Sequence, residues 1–396
     1  MIFGTRNCLP LAALATIALA GCSTTFSLAD VLPKIPPPSF GWLFGKSNKP
    51  GPLPTLTAKV TPQLNWQVSV GKAAPGLAPA ITPNSVYAAA SDGALVRVDA
   101  ATGRQVWRIN VGQKLSAGPG ADDAHVVVGT DKGDVLAFDA DGKSAWTAQV
   151  SSEVIAPPRV TDGVAIVFSG DGRIYGLSAA DGKTKWVHQR SNPALTIRNT
   201  AGGVTSRGGV FAGTPGGHLL ALDVTTGNVG WDATVASPKG ATELERIADI
   251  TSLPFIDTQQ VCAVAYQGRV ACFDSGNGAG HWARPLSSDV GLSADERFVF
   301  TSDEHGSVIA FIRDSGQGAW RNDQLTNRHL SSPASFARAV AVGDYQGYIH
   351  FLSREDGSLL ARVSTDGSAV LPAPIVAGAN LIFQTQSGTL VALASE

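Results

Sequence analysis

From about residue 60 onward, short apolar runs alternate with polar turns centred on glycine, and the alternation recurs. Its most regular element reads Gly-x-[Leu/Val/Ile]-x-x-[Val/Phe/Leu]-[Asp or a substitute]. Copies begin at Gly93, Gly133, Gly172, Gly217, Gly268, Gly306, Gly347 and Gly388, with successive spacings of 40, 39, 45, 51, 38, 41 and 41 residues. After most copies come a second turn and a Trp, as in Asp99-Ala-Ala-Thr-Gly103-Arg-Gln-Val-Trp107. Trp146, Trp186, Trp231, Trp282 and Trp320 follow the same rule, whereas the turn at Asp356-Gly357 is followed by Leu360. Before each copy runs another short apolar stretch, such as residues 85–90 or 125–128. Each unit therefore predicts about four strands joined by Asp-Gly, Thr-Gly or Asn-Gly turns, which suit hairpins because Gly tolerates positive φ. A unit of this size cannot bury both its faces alone, but eight stacked radially can. The expected fold is all-β: an eight-bladed β-propeller with four-stranded antiparallel blades. The last repeat lacks a fourth strand, and an orphan strand at residues 64–70, carrying Trp66, is expected to complete it and close the ring.

The first 60 residues follow different rules. Arg6 precedes an apolar run over residues 9–20 that is too short to cross a bilayer as a helix and is the length of a secretory signal core. The run ends in Leu19-Ala20-Gly21-Cys22, which resembles the lipobox of bacterial lipoproteins. Residues 1–21 are thus expected to be a signal peptide and Cys22 the lipid-bearing first residue of the mature chain. Ser23 follows, not the Asp that resembles an inner-membrane retention signal, which implies the periplasmic face of the outer membrane. Residues 22–59, with Pro33, Pro36, Pro37, Pro38, Pro50, Pro52 and Pro54, read as a semi-extended tether, and residues 60–396 as the propeller.

Charge and composition narrow the function. The chain carries 30 basic and 32 acidic residues without a basic stripe, so nucleic acid is not an expected partner. Of four cysteines, Cys8 leaves with the signal and Cys22 takes lipid. Cys262 and Cys272 remain, on two short strands around a turn near Gln267-Gly268. A three-residue loop sets them opposite each other and a two-residue loop offsets them by one. A disulfide, allowed in an oxidising compartment, and a pair of packed thiols both fit. The seven histidines, at 125, 188, 218, 281, 305, 329 and 350, have no metal-ligand spacing, and no nucleophile motif or phosphate loop is present. No metal or cofactor is expected.

The Asp-x-x-Thr-Gly-x-x-x-Trp turn resembles the repeat of pyrroloquinoline-quinone propellers. That group includes dehydrogenases whose sites need an adjacent Cys-Cys pair and a bound calcium, and the adjacent pair is missing here. Lipobox, Pro-rich tether and eight quinoprotein-like blades together resemble the BamB family, lipoproteins of the outer-membrane β-barrel assembly (BAM) machinery. The resemblance implies a non-enzymatic scaffold that binds BamA and, through it, the rest of the BAM complex, with nascent outer-membrane proteins as further clients. It also implies where contact is made. In the family, a Leu-x-Leu-Arg segment and acidic residues in the next long loop touch the periplasmic domains of BamA. Leu195, Ile197 and Arg198 match the first, with Ile in place of Leu; Asp249 matches one aspartate, and Thr251 stands where the other falls. These positions lie in the two longest repeat intervals, where grafted loops concentrate function. The alternatives from other classes are a periplasmic quinoprotein enzyme and an envelope carbohydrate-binding propeller.

Overall fold

The computed structural model describes residues 49–197, 202–370 and 372–394. The described chain forms 32 strands, arranged as eight four-stranded antiparallel sheets. This is the eight-bladed propeller that the repeat predicts. The first blade is Ala80–Thr82, Ser85–Ala89, Ala94–Asp99 and Gln105–Asn110, paired in that order.

Burial explains the hydrophobic pattern strand by strand. The second strands are mostly apolar, because neighbouring blades cover both of their faces: Val164–Phe168 and Asn380–Gln384 are buried at every position. The fourth strands lie outermost and are half solvated. Thr184–Gln189 and Ser144–Gln149 each bury only the central Trp fully.

That Trp is the inter-blade fastener. Trp66, Trp107, Trp146, Trp186, Trp231, Trp282 and Trp320 each donate Nε1–H to a backbone carbonyl 31–44 residues further on, at 2.6–3.2 Å. The acceptor is the residue after the third strand of the following blade. Each indole also covers the turn glycine beside that acceptor. At Gly103 φ is +69° and a Cβ would lie 2.6 Å from the Trp66 ring, so both backbone conformation and space require glycine.

The seventh blade departs from the rule. Its register pairs Phe351 with Ala361, where the sixth pairs Ala310 with Trp320. Ala361, not the Leu360 expected from the sequence, therefore holds the Trp position. Size is exchanged across the strand pair, and Phe351 fills the interior that the missing indole leaves.

Closure follows the expected route. Gln63–Ser69 runs antiparallel to Thr389–Ala394, from Gln63 opposite Ala394 to Ser69 opposite Thr389, and forms the outer strand of the last blade. Trp66 then bonds to Ala100 of the first blade. The compact unit includes the segment from Lys49 onward. Every blade runs its first strand away from one face of the ring and its fourth strand back towards it. All blade-to-blade connections therefore lie on that face, together with the turns between second and third strands.

Candidate functional site

Two consecutive connections on this face are unusually long. Residues 190–202 link the third blade to the fourth, and residues 235–254 link the fourth to the fifth. Without strand pairing, their backbone groups need other partners, and one carboxylate links the two connections. Asp249 is 1% exposed. Its Oδ2 accepts the N–H of Ile197 at 2.6 Å, and its Oδ1 accepts the N–H of Gly216 at 2.8 Å. Its carbonyl accepts the N–H of Tyr266 at 2.8 Å. Asp249 thus joins the first long connection, a turn of the fourth blade and a turn of the fifth. Ile250 beside it is fully buried against the clusters of these two blades.

Above this anchor the loops expose apolar groups. Leu195 is 45% exposed and Ile197 is half-buried. In the second connection Leu244 is 67% exposed, flanked by Glu243, Glu245 and Arg246. Glu245 accepts the N–H groups of Thr242 and Ala241 at 3.1 and 2.8 Å, which holds its carboxyl below the usual range and fixes the turn. Arg246 pairs with Glu243 at 3.3 Å. Leu244 was not singled out in the sequence; a leucine set among charges in the longest repeat interval was the available signal.

Arg198 and Cys22 lie outside the described residues. Asp249 is placed beneath the loop and not on its surface, where it holds the backbone of Ile197. Thr251 is also buried, its hydroxyl donating to the Asp289 carbonyl at 3.0 Å.

Next to the first loop, a cavity of about 210 Å³ opens between the third and fourth blades, with Phe168, Arg173, His188, Arg190, Asn192 and Ile197 in its wall. Asp232 accepts from Arg190 at 2.5 Å and from His218 at 2.8 Å. Burial alone raises its carboxyl, and these two bonds outweigh it and hold the pKa below the ordinary value. Burial also lowers His188, assisted by the positive Arg190. Phe168 and Ile197 thus share the wall with Arg173 and Arg190, each paired with an aspartate.

Cys262 and Cys272 are bonded to each other in the fifth blade. They are direct register partners, and Ala265 N–H bonds the Arg269 carbonyl around a three-residue loop, Tyr266-Gln267-Gly268. Both sulfurs are buried, so they do not supply the adjacent, accessible cysteine pair of a quinone site. Among the described residues no cluster of His, Cys, Asp and Glu is placed to hold a metal. The residues present do not fit a quinone–calcium centre.

The architecture defines a class, the eight-bladed quinoprotein-like propeller. Quinohemoprotein alcohol dehydrogenase from Comamonas testosteroni shares the fold at a TM-score of 0.66 and 14% identity, covering 84% of this chain and 76% of that one. Similarity of sequence is more specific. Residues 91–322 and 304–396 match the family described as outer membrane protein assembly factor BamB, and the chain belongs to that family. The protein of that name from Bordetella pertussis is 44% identical over 345 residues, 87% of this chain and 89% of the relative. The Burkholderia pseudomallei protein is 41% identical, over 86% and 90%. The crystal structure of BamB from Moraxella catarrhalis superposes with a TM-score of 0.78 at 27% identity, covering 84% of this chain and all of that one.

Proposed function

We propose that this chain is a non-enzymatic scaffold of the outer-membrane protein assembly machinery. It is held by lipid at Cys22 on the periplasmic face of the outer membrane after removal of residues 1–21. It binds the periplasmic domains of BamA through Leu195, Ile197 and Arg198, and so joins the BAM complex and assists insertion of β-barrel proteins. Asp249 holds this segment in its binding shape. Family membership supports the assembly role, because the relatives are named for it. The single observation that carries the site is the Ile197–Asp249 bond, which unites the two long connections and leaves Leu195 in solvent. An exposed leucine on a loop held by a buried carboxylate is a preorganised anchor.

The test is a titration of BamA periplasmic domains onto the parent, Leu195→Ala and Arg198→Ala proteins, with a melting curve for each. Binding should weaken by about 1–3 kcal/mol per substitution with melting unchanged. Parent-like affinity removes the site assignment. Membrane fractionation of Cys22→Ala tests the anchor, and normal outer-membrane recovery of that variant overturns it.

A further inference from the structure

We propose that residues 49–62 are a strap seated in a built receptor on the seventh blade. The strap brings the chain at Lys49 to the connection face, the face that carries Ile197, and ties the seventh blade to the connection before it.

The contacts trace its path. Lys59 N–H bonds the Leu360 carbonyl at 2.8 Å. Further up the same strand, Arg362 Nη2 donates to the Pro54 carbonyl at 3.0 Å. Leu56 packs against the cluster that includes Phe300, Leu325 and Leu330. Arg328 Nη1 donates to the Gly51 carbonyl at 3.3 Å, and Gly51 N–H bonds the Thr326 carbonyl at 3.3 Å. Asn327 Nδ2 reaches the Lys49 carbonyl at 3.3 Å. The segment thus runs opposite to Leu359–Ser364 and ends on the connection between the sixth and seventh blades. Ile197 lies on the equivalent connection three blades earlier, and equivalent connections share one face.

The receptor is more than a surface the strap happens to touch. Arg328 is 1% exposed, and Asp344 and His350 are fully buried. Arg328 Nε donates to Asp344 at 2.7 Å and its Nη2 to Gln346 at 2.6 Å. His350 Nε2 bonds Asp344 at 3.0 Å, and Arg362 Nε donates to His350 Nδ1 at 3.3 Å. One guanidinium bonds the carboxylate and the other the imidazole, so their remaining donors need further acceptors. The strap supplies them as the carbonyls of Gly51 and Pro54. Pro50, Pro52 and Pro54 carry no N–H, so at these positions the extended backbone offers acceptors and no competing donor.

The test is hydrogen exchange on the full chain in detergent. The Gly51 and Lys59 amides should be protected in the parent, and in Arg362→Ala they should exchange at least tenfold faster while Ala339–Gly343 keeps its protection. Exchange of the parent strap at free-peptide rates overturns the strap, and so does unchanged strap exchange in a folded Arg362→Ala.

Discussion

The backbone N–H of Ile197 donates to the Asp249 carboxylate at 2.6 Å across 52 residues of sequence. Because Asp249 is buried with both oxygens occupied, its contribution to binding is expected to be indirect. Asp249→Asn keeps the shape but can satisfy only one of the two N–H groups through oxygen. A buried donor left unmet costs about 1–3 kcal/mol. Asp249→Asn should therefore lower both melting temperature and BamA affinity, whereas Leu195→Ala lowers affinity alone. Equal behaviour of the two variants in both measurements would remove the distinction between anchor and contact.

Ring closure places a comparable demand on Trp66, which fastens the last blade to the first through Ala100 and the face of Gly103. Trp66→Ala should cost about 3–5 kcal/mol by emptying this junction. Because the junction also joins the two ends of the ring, Gln63–Ser69 should lose exchange protection before the inner strands do. Uniform loss of protection across all blades would place closure elsewhere.

The blades were legible because each repeat must solve the same packing problem, and Gly103 with Trp66 or Gly227 with Trp186 meets it with the same residue types. The departure at the seventh blade was read one residue off. The four-residue spacing that carries Gly316 to Trp320 carries Gly357 to Ala361, and the pairing sets that residue opposite Phe351. The two long connections were visible as excess spacing, but the role of Asp249 was not. Sequence can place an acid near an exposed Arg; it cannot show that the acid sits beneath the loop, bonded to main-chain N–H groups. The docking of residues 49–59 was hidden for a related reason. Pro-rich composition describes a chain without its own ladder, and the acceptors for Arg328 and Arg362 are carbonyls that every residue possesses.

Oxidation of the fifth blade should be measurable as stability. The Cys262–Cys272 bond closes a separation of 10 residues, and loop-closure entropy for a loop of this size is worth about 2–3 kcal/mol. The same hairpin turn donates Tyr266 N–H to the Asp249 carbonyl, so the bond also steadies the site. Cys262→Ala with Cys272→Ala should lower the denaturant midpoint by a corresponding amount. Thiol titration of unfolded, unreduced protein provides the direct check, and two free thiols from these positions would refute the bridge.

His350 gives the chain a pH dependence of defined sign. Arg362 Nε can only donate, so the Nδ1 that receives it carries no proton, and Nε2–H faces Asp344. The ring is neutral in this arrangement. Burial lowers its pKa below the ordinary 6.5, and the attraction of Asp344 does not reverse the shift against burial and the positive Arg362 and Arg328. In the unfolded chain the same ring takes up a proton as pH falls through about 6.5, before the folded one does. Acidification therefore favours the unfolded state: the contribution of neutral His350 is complete above that pH and shrinks below it, down to the folded pKa. His350→Gln can donate to Asp344 and accept from Arg362 without titrating. Denaturant midpoints between pH 7.5 and 5 should fall more steeply for the parent than for His350→Gln. Taking the difference between the two removes the other histidines, including His188, whose pKa burial also lowers. Parallel profiles would mean that the ring is already charged in the folded protein, and the hydrogen-bond order from Arg362 to Asp344 would have to be reversed.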